Sequence, residues 1–154
     1  MPVAQKEKSM AQQTFDPNRL TFEQGVERIK NAVRESGLKA EGRIITSRDE
    51  GVEKAIKLLE VDNVPPGFRK WQLPVYMACE SQLYITVAEP GAHASPHSHN
   101  DGAGIRFIAG GSIVYNGYEL TAGDWMYIPA GTEYSFEVGR YGALMCYCYC
   151  CSCA

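Results

Sequence analysis

From Gln82 to Tyr149 the chain alternates short apolar runs with glycine turns, and this rhythm restricts the fold more than any other feature. Gln82-Leu83-Tyr84-Ile85-Thr86-Val87 is β-branched and aromatic, a composition that suits a pleated surface. Runs of the same kind follow at 105–109, 112–115, 118–120, 125–128, 134–138 and 143–149. Between them lie Gly110-Gly111, Asn116-Gly117, Ala122-Gly123-Asp124, Pro129-Ala130-Gly131 and Gly139. Asn116-Gly117 favours a tight type I′ hairpin. Short strands at this spacing predict a sandwich or a barrel, and periodicity alone does not choose between them.

The segment before the strands reads as helical. Thr21-Phe22-Glu23-Gln24 has the form of a capping box, with Phe22, Val26, Ile29 and Val33 at helical spacing and Gly37 as a C-terminal cap. Residues 42–46 suit a short strand. Ser47-Arg48-Asp49-Glu50 has the form of a second capping box, ahead of an apolar stripe of Val52, Ile56 and Leu59 that stops before Val64-Pro65-Pro66-Gly67. These stripes predict core packing, not a cofactor site. The expected organisation is a flexible arm at 1–16, a helical lead-in at 17–66, a β body at 67–150 and a cysteine-rich end at 146–154.

The 154 residues suffice for one core without staples. A net charge of −3 leaves no basic footprint for nucleic acid, and no long apolar run spans a membrane. The polar N-terminal residues carry no apolar signal core, so the expected location is cytoplasmic.

All three histidines fall in Gly91-Ala92-His93-Ala94-Ser95-Pro96-His97-Ser98-His99. His97 and His99 are two apart, so on a strand both imidazoles face one way, as a half-site for a divalent transition metal requires.

This stretch resembles the first cupin motif: Gly91, five residues, His97, one residue, His99, and a closing glycine at Gly110 or Gly111. The run from Gly123 through Pro129-Ala130-Gly131 is similar to the second cupin motif. The resemblance covers Gln82 to Cys150 and implies a mainly β fold, a cupin-type double-stranded β-barrel (jelly roll) carrying two N-terminal helices. It departs from the pattern where the metal-binding Glu belongs, at Ala103 or Gly104. It departs again where the third His and the terminal Asn belong, at Tyr134 and Val138. Of the usual four ligands only His97 and His99 carry over. Asp101 and His93 are competing extra donors, and Tyr134 stands at the third-His position. If Gly104 is the lost Glu position, Arg106 faces the cavity and suits a carboxylate; if Ala103 is, Arg106 faces solvent.

Five of the six cysteines lie in Cys146-Tyr147-Cys148-Tyr149-Cys150-Cys151-Ser152-Cys153. Cys146, Cys148 and Cys150 share one strand face and Tyr147 and Tyr149 the other, without indicating which is inward. Soft-metal or thiol chemistry, disulfides, and a tail without a defined task all fit. A thiolate from Cys146, Cys148 or Cys150 would complete a site with His97 and His99 suited to Fe, Zn, Ni, Cu or Mn. Cys79, isolated, reads as a small buried hydrophobe.

The resemblance implies a metal-dependent enzyme of oxygenase or isomerase type, an oxidoreductase in the first case. It would act on a small organic acid at His97 and His99, with Arg106 and Tyr134 assisting. The alternative is a non-catalytic metal- or ligand-binding, redox-sensing barrel. The expected partners are a small-molecule ligand or substrate and a second copy in a homodimer, with neither nucleic acid nor membrane.

Overall fold

A computed structural model describes residues 20–62 and 64–150; the expected arm at 1–16, and Cys151 and Cys153, lie outside them. Helix α1 (Phe22–Ser36) begins at the capping box: Thr21 Oγ1 accepts from Gln24 N, and Gln24 Oε1 accepts from Thr21 N. Gly37 ends it at φ 74°, a left-handed cap that costs glycine little. Phe22 is exposed, contrary to the stripe expected for it, and Ile29 and Ala32 make the buried contact.

The short strand β1 (Ile45–Thr46) forms as expected. The second capping box does not. Helix α2 (Val52–Leu59) starts after Gly51, with no side-chain cap. Ser47 is engaged elsewhere: its Oγ donates to Asp124 Oδ1 at 2.8 Å and accepts from Trp125 N at 3.0 Å. Arg48 pairs with Asp124 at 3.0 Å. Burial raises the Asp124 carboxyl, but the Thr121 amide, Ser47 and Arg48 bring it below its ordinary value. A tertiary junction has taken the residues a local cap would have used.

The remaining strands are β2 (Glu60–Val61), β3 (Lys70–Trp71), β4 (Gln82–Ala88), β5 (His93–His97), β6 (Gly104–Tyr115), β7 (Tyr118–Thr121), β8 (Trp125–Ile128) and β9 (Tyr134–Tyr149). β2 and β3 make a small ribbon. The others form one antiparallel sheet in the order β1-β8-β6-β9-β4, with β5 also on β9 and β7 on β6. β1, from the lead-in, therefore belongs to the barrel sheet.

β6 and β9 are each longer than the glycine signals suggested. Gly110-Gly111 does not end a strand; β6 runs through it with register shifts against β9. β9 likewise continues past Gly139, with residues 139–142 bulged out. The first half of β6 pairs with β8 and the second with β7. The first half of β9 pairs with β5 and the second with β4. Each long strand thus turns a corner and serves both sides of the barrel. Gly111 sits at that corner with φ 64°, and a Cβ there would overlap the Gly142 carbonyl. Asn116 (φ 49°) and Gly117 (φ 79°) have the two positive φ values of the expected tight hairpin.

The architecture is mainly β, with two helices. Its main core comes from the inward sides of β6, β8 and β9, including Ile108, Ile113, Met126, Ile128, Phe136 and Met145. Leu38, Ile45, Val52 and Trp125 form a second cluster that joins the helices to β8. No helix among the described residues is long and apolar enough to cross a membrane.

Candidate functional site: a phenol, imidazole and guanidinium cluster

β5 ends at His97, which pairs with Tyr134 at the start of β9. Their ring centroids are 4.5 Å apart, and the His97 and His99 centroids 5.1 Å. Both histidines are half-buried, so the pair remains within reach of solvent. His97 Nδ1 lies 2.6 Å from the Ser95 carbonyl. A carbonyl only accepts, so this contact requires a proton on Nδ1.

On β6, alternate residues from Gly104 to Ile108 are buried. Arg106 therefore points inward and is only 6% exposed. Its Nη2 donates to Tyr134 Oη at 3.2 Å, and its Nη1 to Met145 Sδ at 3.6 Å. The guanidinium carbon stands 4.2 Å from the Tyr147 ring centroid and 5.0 Å from that of Phe136. Among the described residues Arg106 forms no ion pair. The cation rests on π faces and a phenol instead.

On β9 the inward face holds Met145, Tyr147 and Tyr149, and Cys146 and Cys148 take the opposite face. Tyr149 Oη is 2.5 Å from His99 Nε2, and Tyr134 Oη is 3.4 Å from the same nitrogen. Burial drives the Tyr149 phenol well above its ordinary range. The neutral phenol is the favoured form, and it shares one hydrogen bond with His99 Nε2. Tyr147 is raised further, by burial first and then by the neighbouring Tyr149 and Tyr134 phenols. Among the described residues Arg106 Nε is buried without a hydrogen-bond partner, and the buried Tyr147 hydroxyl has only the neighbouring phenols beside it.

No protein-family model and no curated protein matches the sequence. Solved structures do resemble it. A protein of Klebsiella pneumoniae with a double-stranded β-helix domain is 22% identical, over 52% of this chain and 70% of that one, with a TM-score of 0.43. KdgF from Halomonas is 19% identical, over 58% and 83%, with a TM-score of 0.41. An RmlC-like cupin of Shewanella frigidimarina is 19% identical, over 46% of this chain and 65% of that chain, just under two thirds of its length, with a TM-score of 0.40.

The cupin motifs that the sequence resembles raise the question of a metal, and the donor set does not fit one. Among the described residues no three His, Cys, Asp or Glu side chains converge. Where a Glu would stand at position 104, a Cβ on Gly104 would overlap the Tyr147 ring. His99 Nε2 is already engaged in a hydrogen bond with the Tyr149 hydroxyl. Arg106, a permanent cation, lies one phenol away from that nitrogen and opposes a second positive charge.

The other expected donors lie apart from the histidine pair. His93 Nδ1 faces Glu137 at 4.0 Å, with both side chains at least half exposed. Asp101 lines a groove of about 1130 Å³ between α1, the stretch from Pro74 to Cys79, and the loop at Gly102. Cys150 is joined to Cys79 as a disulfide, with their Cα atoms 5.8 Å apart. This corrects the reading of Cys79 as a buried hydrophobe: it is exposed, and its sulfur is bonded. It also removes Cys150 as a thiolate donor. Cys146 and Cys148 are free thiols on the face away from His99.

Tyr147 and Tyr149 are the members of the cluster that sequence reasoning left unassigned. The signal was present in residues 143, 145, 147 and 149, where Ala, Met, Tyr and Tyr form the bulkier apolar alternate set.

Proposed function

We propose that this protein is a metal-independent small-molecule-binding barrel that takes an organic anion at the cluster of Arg106, Tyr134, Tyr147 and Tyr149, entered past His97 and His99. The observation that carries this reading is Arg106, buried with no counter-charge among the described residues. A buried guanidinium is costly unless an anion and a full set of acceptors meet it. Among the described residues Arg106 Nε is buried without a hydrogen-bond partner, so the guanidinium holds polar capacity that a carboxylate would use. A planar carboxylate matches the guanidinium fork, and the protonated phenols of Tyr147 and Tyr149 add donors. The half-buried histidines mark the accessible side.

The test is titration calorimetry with a panel of small mono- and dicarboxylates, in chelator and again with Fe(II), Zn or Ni added. The expected result is binding that persists in chelator and weakens at least tenfold in Arg106→Met. Binding that needs the added metal, or that survives Arg106→Met unchanged, would overturn the reading.

A further inference from the structure

The disulfide does not stand alone. Cys148 on β9 lies two residues before Cys150, which stands just past the strand end, and the Cys148 Sγ donates to Ser81 Oγ at 3.4 Å. Ser81 in turn lies two residues after Cys79. One free thiol therefore sits beside both arms of the bond. The stretch joining Trp71 of β3 to Gln82 of β4 has no regular secondary structure, and the β4–β9 ladder begins only at Gln82 with Tyr149, which leaves Cys79 on a three-residue tether.

We propose that Cys79, Cys148 and Cys150 form a thiol–disulfide exchange centre with two alternative linkages. In the exchange the Cys148 thiolate attacks Cys79 Sγ. The Cys79–Cys150 bond breaks as the Cys79–Cys148 bond forms, and Cys150 leaves as a thiolate that takes up the proton Cys148 lost. No external oxidant or reductant is consumed. The geometry asks for a shift of the Cys79 end by about two strand residues, roughly 7 Å, within the reach of an irregular segment. Cys79 is exposed and is the sulfur an incoming thiolate can approach, whereas Cys150 is half-buried.

The two linkages differ in what they hold. Cys150 packs on the loop that follows His99: its amide donates to the Ala103 carbonyl at 3.1 Å, and a Cβ on Gly102 would come within 2.7 Å of Cys150 Cβ. Tyr149, its neighbour in sequence, clamps His99. The Cys79–Cys150 linkage therefore anchors the residue just past β9 while Tyr149 closes on His99, and the Cys79–Cys148 linkage frees it. This consequence rests on the cluster being the ligand site; the exchange itself does not.

The test is disulfide mapping of the full chain purified without reductant and equilibrated with a trace of a small thiol. The sample is then quenched in acid, alkylated, digested and read by mass spectrometry. The expected result is two crosslinked peptide pairs, Cys79 with Cys150 and Cys79 with Cys148, the second lost in Cys148→Ser. A Cys151→Ser/Cys153→Ser variant should keep both. Cys79–Cys150 as the sole linkage, with Cys148 fully alkylated, would overturn the proposal. So would fully reduced protein, or Cys79 crosslinked to Cys151 or Cys153. The readout involves no ligand, so it stands or falls separately from carboxylate binding.

Discussion

The ring of Tyr147 fills the space into which a side chain at position 104 would project, so Gly104 and Tyr147 are a steric pair: the large residue is accommodated because its neighbour has none. A carboxylate at 104 cannot be restored by substitution alone. Gly104→Glu should lower stability by about 1–3 kcal/mol, the usual range for overpacking a filled core. It should also fail to create metal affinity. Denaturant midpoints and metal content after dialysis check both expectations. Pairing Gly104→Glu with Tyr147→Ala should recover part of the stability loss, because the two changes share one space.

Removing Arg106 separates a role in ligand binding from a role in holding the fold. A buried charge without a counter-ion is costly, and an apolar replacement of similar length is commonly neutral or stabilising by about 1–3 kcal/mol. Arg106→Met should therefore melt at or above the wild-type temperature while losing anion binding. A large fall in melting temperature would mean that the cation–π contacts with Tyr147 and Phe136 are worth more than the desolvation they offset.

Reduction should destabilise the protein through its unfolded state. The Cys79–Cys150 bond closes a loop of sequence separation 71, for which chain entropy gives about 4 kcal/mol as an upper figure. Equilibrium unfolding with and without a dithiol measures the difference. Cys79→Ser should match the reduced wild type and be insensitive to the dithiol.

Alkaline pH should weaken the fold. Tyr147 and Tyr149 both have raised folded-state pKa values, so their neutral forms are favoured in the native protein. Above about pH 10 the unfolded phenols lose protons that the folded ones keep, and stability falls by up to about 1.4 kcal/mol per pH unit for each. Below that pH their contribution is fully present. Phenolate absorbance followed against pH should show two tyrosines that ionise only as the chain unfolds, and one fewer in Tyr147→Phe.

Much of the fold was legible in the sequence, because its signals are local. The Thr21–Gln24 cap, the Asn116-Gly117 hairpin and the β-branched runs each depend on residues a few positions apart. What escaped depended on partners far along the chain. Ser47 reads as a helix cap until Asp124, 77 residues away, takes its hydroxyl. Gly110-Gly111 reads as a strand end until β9 bends with it and the ladder resumes beyond. In the site, His97 and His99 were visible by spacing, and Arg106 by parity with Gly104. The inward choice between tyrosines and cysteines on β9, and the bond from Cys150 to Cys79, required the register of three strands.

The two cornering strands also set how the interior can admit a guest. β6 and β9 are hydrogen-bonded to each other on both sides of the barrel, so the sides cannot part like a clam without tearing the same ladder twice. For the anion proposed at Arg106, entry would have to come from rotation of side chains at one mouth, with Tyr149 and Tyr134 turning aside from His99. In that reading the two phenols act as shutters on a wall held by β6 and β9, and their swing would set the size of what passes.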